Sequence, residues 1–169
     1  SGKWFGFENY DILPDLFTTA KGLSGGLPQS ALVGRKDLMD IYAPNTMTST
    51  HSGSPVASAG TAANIKFLKE HNMCEEALRK GKIMEERLKA LWKQFPERIS
   101  YVSGIGMAWA VTFAEADTHA IHPEFALEVT KKCNENGLTF FAAVGAGITM
   151  KLTPPLTIPD DALIEGLEA

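Results

Sequence analysis

The chain has 169 residues, a formal charge of -4 at pH 7 and a hydrophobic fraction of 44%, values that suit a globular protein of one domain or two small ones. Its apolar runs fall short of the roughly 20 residues that cross a bilayer, and its first residues lack the order of a signal peptide. With no basic block for nucleic acid, we expect a cytoplasmic protein that binds neither membranes nor nucleic acid.

Metal and disulfide chemistry find little support in the sequence. Cys74 and Cys133 are far apart and lack metal-type spacing, so two reduced thiols are predicted. His119 and His122 lie three residues apart, but no third ligand is close in sequence and His122-Pro123 is a natural helix entry. No metal site is therefore predicted.

The first part of the chain predicts a strand pair followed by a helix. "DLFTTA" (15–20) and "QSALVGR" (29–35) favour strands, the first of them buried. The connection between them is rich in glycine and proline, which indicates an antiparallel pair or a sheet edge. After a brief helix from Asp37, "APNTMTSTHSGSP" (43–55) has the composition of an exposed loop. The small apolar residues from 56 onwards predict a closely packed helix.

The second part alternates strands and helices. A helix over 74–95 is predicted with an apolar face. Two strands broken by glycines follow over 99–116, then a helix over 122–137, two short strands over 138–158 and a last helix over 159–169. The residues expected on the apolar face of the first helix are Leu78, Met84, Leu88, Leu91 and Trp92. The order β-β-α-β-β-α suits a small α+β domain, with helices on one face of a mostly antiparallel sheet.

Lys21 is the main candidate for covalent chemistry. It follows a predicted strand and precedes a cluster of three glycines, which allow close backbone approach to a bound group. A lysine amine is a nucleophile only in its neutral form, which burial or a neighbouring cation favours. From position alone, an ordinary surface lysine in a turn remains the alternative.

Five segments appear together in an order typical of one enzyme family. They are "SGKWFGFENYDILPD", "TTAKGLSGGLPQSALVGRKDLMD", "STHSGSPVASAG", "SGIGM" and "MKLTPPLTIPDDAL". Together they cover essentially the whole chain, and in this order and spacing they resemble the C-terminal part of the class III (ω-amino acid) aminotransferases, which use pyridoxal phosphate.

The resemblance implies a fold, a cofactor and roles for two residues. The fold class is α/β, a fold-type I pyridoxal-phosphate transferase fragment, with the end of the large α/β domain at 1–72 and a small α+β C-terminal domain at 73–169. Lys21 matches the Schiff base lysine, which binds pyridoxal 5'-phosphate and later acts as general base and acid. Thr50 matches a phosphate ligand contributed across a dimer interface, although a solvated loop residue remains the alternative. The implied partners are an amino donor, a 2-oxo acid acceptor and a second copy in a homo-oligomer, a dimer.

The chain also departs from the family pattern. Lys151 stands where the family places a carboxylate-binding arginine; lysine keeps the charge but not the two-pronged contact, so substrate binding and a plain surface lysine both remain open. Ser103 replaces the arginine of the turn motif, and Ser54 replaces the asparagine before Pro55. In the family, the aspartate that pairs with the pyridine nitrogen precedes the position matched by Ser1. We therefore expect these residues alone to be inactive. The rival hypothesis to an aminotransferase is a non-catalytic fragment of such an enzyme. The alternative reaction on the same scaffold is that of an aminomutase or a decarboxylase.

Overall fold

The computed structural model describes residues 1–47, 49–113, 118, 123–139 and 149–169. They group into two compact units. The N-terminal unit comprises Phe5–Asn72. The C-terminal unit comprises Met73–Ala169 together with Ser1–Trp4.

The N-terminal unit begins with the predicted antiparallel strand pair. β1 (Leu16–Thr19) pairs with β2 (Ala31–Gly34), with Leu16 opposite Gly34 and Thr19 opposite Ala31. The expectation that the first strand is buried is wrong for the residues described, because Leu16 is 44% exposed. In the described part of the chain β1 pairs with β2 alone, so a sheet of only two strands leaves much of its surface in water.

Two helices follow in the same unit. The short α1 (Lys36–Met39) ends near the loop predicted over 43–55, whose described residues up to Gly53 are all exposed. α2 (Pro55–Glu70) has proline in its first turn, where the missing N–H is not needed. Sequence signals at a proline therefore located this helix start correctly.

The C-terminal unit packs three helices against an antiparallel sheet. Its elements are α3 (Met73–Gln94), β3 (Ile99–Ile105), β4 (Ala108–Phe113), α4 (Pro123–Glu135), β5 (Thr149–Leu152) and α5 (Asp160–Glu168). The strand order is β3-β4-β5, with both pairs antiparallel as predicted. Alternate residues of β4, namely Trp109, Val111 and Phe113, join side chains of all three helices in one core. The predicted strand that precedes β5 lies outside the described residues, as do His119 and His122.

The buried face of α3 differs in part from the predicted one. Met84 and Leu88 are buried as expected, but Leu78 is 42% exposed and Leu91 36% exposed. The residues that face the core repeat at helical spacing and are Met73, Ala77, Lys80, Gly81, Met84 and Leu88. Hydropathy alone would place Lys80 and Gly81 on the solvent side of α3. The structure buries both, because the Lys80 amine bonds to backbone carbonyls and Gly81 lies against the backbone of Gly106.

The first of these positions anchors the segment that leads into α5. Lys80 is 6% exposed, and its Nζ donates hydrogen bonds to the carbonyls of Leu156 at 2.9 Å and Ile158 at 2.6 Å. Hydrogen bonds from Arg79 chiefly lower the pKa of the Glu76 and Asp160 carboxyls, and the nearby charge of Lys80 adds to this effect. The buried cation is therefore bonded and electrostatically balanced, as a buried charge must be.

Arginines join α3 and α5 at two levels. The Arg79 guanidinium binds both oxygens of Asp160, at 2.7 Å each, and also Glu76 in the same helix. Eight residues further along each helix, Arg87 binds Glu168 at 2.6 Å. Equal spacing on both helices means that α3 and α5 run parallel and rise together by about 12 Å between the two contacts.

Acid is expected to loosen the contact between α3 and α5. Hydrogen bonds from Arg79 hold the pKa of Asp160 and of Glu76 below their ordinary values of 3.8 and 4.5. A carboxyl whose pKa is lowered by folding stabilises the fold at neutral pH, and this contribution is lost as pH falls through the folded-state pKa. Unfolding midpoints measured from pH 7 down to pH 2 should therefore fall less steeply for Arg79→Met than for the wild type. Parallel pH profiles for the two proteins would contradict this assignment.

Candidate active site around Lys21

Lys21 lies directly beyond β1 in an unusual backbone conformation. It begins a short 3₁₀ turn, Lys21–Leu23, and its φ is +50°. Left-handed backbone costs a residue with a side chain about 1 kcal/mol or more. Interactions elsewhere in the fold therefore have to hold this conformation.

The Lys21 side chain borders an open cleft of about 840 Å³ in the N-terminal unit. The cleft is lined by Ala20, Lys21, Gly22, Gly25, Gly26, Leu27, Pro28, Gln29 and Ser30. A Cβ built on Gly22 or Gly26 would meet no atom of the described residues within 4 Å. Among the described residues that line the cleft, Lys21 carries the only charge, so an anionic ligand would meet attraction and no repulsion there.

Helix α2 supports this segment through residues that the sequence analysis missed. Asn64 is partly buried, and its Nδ2 donates to the carbonyls of Gly22 at 2.8 Å and Leu23 at 3.1 Å. A Cβ on Gly60 would lie 2.5 Å from Leu27 Cδ1, which shows how closely the helix approaches the loop. The sequence signal that could have found this contact is a polar residue, Asn64, four positions after Gly60 on a helix face otherwise made of small residues.

Thr50 and Lys151 occupy separate places. Thr50 lies in the exposed loop before α2 and is not among the described residues that line the cleft at Lys21. Lys151 is in β5 of the C-terminal unit and is exposed. The structure therefore does not bring Thr50 into the Lys21 cleft within one chain.

The sheet register places two of the three departures from the family pattern in one row. Ser103 of β3 and Lys151 of β5 both pair with Ala110 of β4. Directly opposed residues share a face of the sheet, and both line a cleft of about 350 Å³ there. Lys151 supplies the positive charge of this cleft, since a serine occupies the other position.

Other reactive groups do not form a competing site in the described part of the chain. No group of three or more histidine, cysteine, aspartate or glutamate side chains there could hold a metal ion. Both cysteines are free, and burial raises the pKa of the Cys133 thiol, which disfavours the nucleophilic thiolate. No helix among these residues is long and apolar enough to cross a membrane.

The Lys21 cleft fits the part of pyridoxal phosphate that this segment would have to hold. The cofactor's aldehyde carbon needs a primary amine with free space beside it, which Lys21, Gly22 and Gly26 provide. Its phosphate needs hydrogen-bond donors and a lining without carboxylates, and the cleft has no acidic residue among those described. The residues present are therefore compatible with the cofactor.

Solved structures define the class of protein to which this fold belongs. The model is similar to an S-selective transaminase from Arthrobacter sp. with alanine bound, with a TM-score of 0.87 and 28% identity, over 99% of this chain and 39% of that one. The predicted fold class is thus confirmed: the chain has the α/β fold of part of a fold-type I transaminase.

Sequence comparison gives the family. The family model for class-III aminotransferases matches residues 1–169, and the chain belongs to that family, as predicted. It is 32% identical over 168 residues to a probable 4-aminobutyrate aminotransferase of Bacillus subtilis (strain 168), covering 99% of this chain and 38% of the relative. It is also 35% identical to a leucine/methionine racemase of Thermococcus litoralis, with shares of 99% and 38%. The chain therefore spans about two fifths of the length of the curated relatives it matches.

Proposed function

We propose that these residues are part of a longer pyridoxal-phosphate-dependent aminotransferase, which transfers an amino group from an amine or ω-amino acid to a 2-oxo acid in the cytoplasm. The observation that carries the proposal is the position of Lys21. Lys21 borders an open, glycine-lined cleft without acidic residues among those described. Family membership over all 169 residues supports this role.

Lys21 would have two tasks in this reaction. Pyridoxal 5'-phosphate, when bound, supplies an aldehyde carbon that bonds to amines and a ring that accepts electrons. The Nζ atom of Lys21 would hold the cofactor through that carbon in the resting protein. Once a substrate amine has replaced it, the neutral Nζ would remove the proton from the substrate's α-carbon.

Thr50 would bind the cofactor phosphate of a second subunit. It lies in a loop whose described residues up to Gly53 are exposed, and hydroxyl side chains flank it at Ser49 and Ser52. A role across a dimer interface agrees with its absence from the cleft lined by Lys21 of its own chain. The proposal therefore requires a homodimer.

Several apolar side chains of the N-terminal unit are exposed, as expected for a surface that a second subunit would cover. Leu13 is 93% exposed, Val56 73%, Met47 71% and Ile41 69%. In the proposed dimer of a longer protein, a second subunit or further residues would cover such side chains and remove their apolar surface from water. We propose that residues 1–72 belong to the large cofactor domain, where such cover is available, and that 73–169 form the small domain.

Lys151 would bind a substrate carboxylate in the small domain. It is exposed on the sheet row that also contains Ser103. As a point charge it would attract the carboxylate without fixing its plane, because an ammonium makes no two-pronged contact. We therefore expect a broader range of acidic substrates than an arginine at this position would permit.

Two alternatives differ from this proposal in testable ways. The chain taken alone would be a non-catalytic fragment, which the coverage of 38% of its relatives favours. An aminomutase or decarboxylase on the same scaffold would use Lys21 equally, and the racemase among the relatives shows that the family includes other reactions. Product analysis with an amine donor and a 2-oxo acid separates an amino transfer from these reactions.

The test maps where the cofactor binds. Full-length protein that contains these residues is loaded with pyridoxal 5'-phosphate, reduced with borohydride and digested, and we expect the reduced adduct on the peptide with Lys21. The adduct should be lost in Lys21→Arg and kept in the control Lys69→Arg, which changes an exposed lysine of α2. Adducts spread over surface lysines, or unchanged in Lys21→Arg, would refute the assignment.

A further inference from the structure

We propose that Asn64 is a positioning residue for Lys21: its side-chain amide binds the two carbonyls that follow the lysine and thereby fixes the backbone from which the lysine side chain leaves. This inference rests on the proposed function of Lys21. It concerns a residue that lies 43 positions further along the chain, in helix α2.

The contact satisfies both donors of one amide nitrogen. Asn64 Nδ2 lies 2.8 Å from the Gly22 carbonyl oxygen and 3.1 Å from that of Leu23. Carbonyls only accept hydrogen bonds, so the NH₂ group must face them. The other side of the amide is also enclosed, because a Cβ on Gly25 would lie 2.9 Å from Asn64 Oδ1. The asparagine is thus held between the start and the end of the turn after Lys21.

The turn has few hydrogen bonds of its own next to Lys21. The hydroxyl of buried Ser24 donates to the Leu27 carbonyl and so fixes the part further along the chain. Leu23 N–H donates to the Ala20 carbonyl at 3.0 Å, but the next such bond, from Ser24 N–H to the Lys21 carbonyl, is long at 3.5 Å. Glycines at 22, 25 and 26 leave its backbone many accessible conformations. The two bonds from Asn64 therefore restrict the part of the turn next to Lys21, which the turn's own bonds hold less firmly.

The selected conformation determines the direction of the lysine. With φ at +50°, Lys21 adopts a backbone that residues with side chains rarely take. Reversal of φ to its ordinary negative range would turn the Cα–Cβ bond relative to β1 and move the amine relative to the cleft. The carbonyls that Asn64 holds belong to the next two residues, so their position constrains this torsion directly.

The neighbouring α2 residues allow the contact to form. Ala57, Gly60, Thr61 and Asn64 follow at helical spacing on one side of the helix. The small residues let the helix approach the loop closely, as the 2.5 Å between a Gly60 Cβ and Leu27 Cδ1 indicates. Thr61 Oγ1 is buried and has no hydrogen-bond partner within the described residues, which makes Thr61→Val a control on the same side of the helix.

Two variants distinguish the effect of the Asn64 amide from any effect on the stability of helix α2. Asn64→Ala removes the amide and keeps α2, because alanine is the best helix former. Asn64→Asp keeps the shape but faces two carbonyls with an acceptor in place of a donor. In the full-length protein without cofactor, the Cα and Cβ chemical shifts of Lys21 and hydrogen exchange at Leu23 and Ser24 report the conformation of the loop. Exchange of the α2 amides reports whether the helix is intact.

We expect both variants to change the Lys21 chemical shifts and to raise the rate of hydrogen exchange at Leu23 and Ser24 by about tenfold. Exchange of the α2 amides should stay at the wild-type rate in both variants. The control Thr61→Val should match the wild type in all of these measurements. With pyridoxal 5'-phosphate and borohydride, the ratio of adduct on Lys21 to adduct on Lys69 should also fall. Faster exchange with unchanged Lys21 shifts and an unchanged ratio would show a purely structural asparagine and overturn the proposal. A full-length wild-type protein without preference for Lys21 would instead count against the proposed function, and the shifts alone would then decide the role of Asn64.

Discussion

Lys21→Arg is expected to lower the rate of amino transfer by the full-length protein about 10²- to 10⁴-fold or more, the usual contribution of a positioned proton acceptor. Arginine keeps the positive charge and the length of the side chain. Its guanidinium stays protonated in proteins, so it can neither hold the cofactor through a covalent bond nor take a proton from the substrate. The measurement is turnover of an amine donor and a 2-oxo acid at saturating pyridoxal 5'-phosphate.

The control for this prediction is Lys69→Arg, which makes the same chemical change at an exposed position of α2. Its turnover should equal that of the wild type. Circular dichroism of both variants shows whether the fold is kept. Full turnover in Lys21→Arg, with cofactor still fixed by borohydride, would assign the reaction to another lysine.

Local sequence signals located most elements because their causes are local. Pro55 opens α2, and Gly137, with φ at +90°, closes α4 while the Leu138 N–H bonds back to the Cys133 carbonyl. Both residues act through their own backbone preferences. Such features can be read without knowing what the element packs against.

Burial was predicted less well because it depends on distant parts of the chain. Hydropathy placed Leu78 in the core of α3 and gave no reason to bury Lys80, yet the structure buries Lys80 because its amine reaches the carbonyls of Leu156 and Ile158. These residues lie more than 70 positions away. No periodicity within the helix contains that information.

The candidate site shows the same difference between features with local causes and features that depend on distant residues. Lys21 was predicted from its flanking motif and stays a prediction, whereas Asn64 was not singled out, since its contact with Gly22 and Leu23 spans about 40 residues. A single asparagine in a helix of small residues is compatible with many environments. Its role becomes visible only when the fold places the helix against the turn.

Gly81→Ala is expected to destabilise the C-terminal unit by about 3 kcal/mol, at the upper end of typical overpacking costs. A Cβ on Gly81 would lie 2.4 Å from the carbonyl oxygen of Gly106 and 2.6 Å from its Cα. Backbone atoms cannot rotate away as a side chain can, and the Gly106 carbonyl also accepts the indole N–H of buried Trp109 at 2.8 Å. The gain of about 1 kcal/mol in helix propensity from glycine to alanine is too small to offset the clash.

The matched control for Gly81→Ala is Gly166→Ala in α5, where the one contact of the new Cβ with described residues outside its own helix would be the Leu138 Cδ1 atom at 3.3 Å. That methyl group lies at the end of a flexible side chain, so we expect stability within about 1 kcal/mol of the wild type. Urea unfolding followed by tryptophan fluorescence is selective here, because Trp4, Trp92 and Trp109, the three tryptophans of the chain, all belong to the C-terminal unit. Equal midpoints for Gly81→Ala and Gly166→Ala would mean that α3 and the β3–β4 turn separate at little cost, and that the close backbone contact does not determine the packing of this unit.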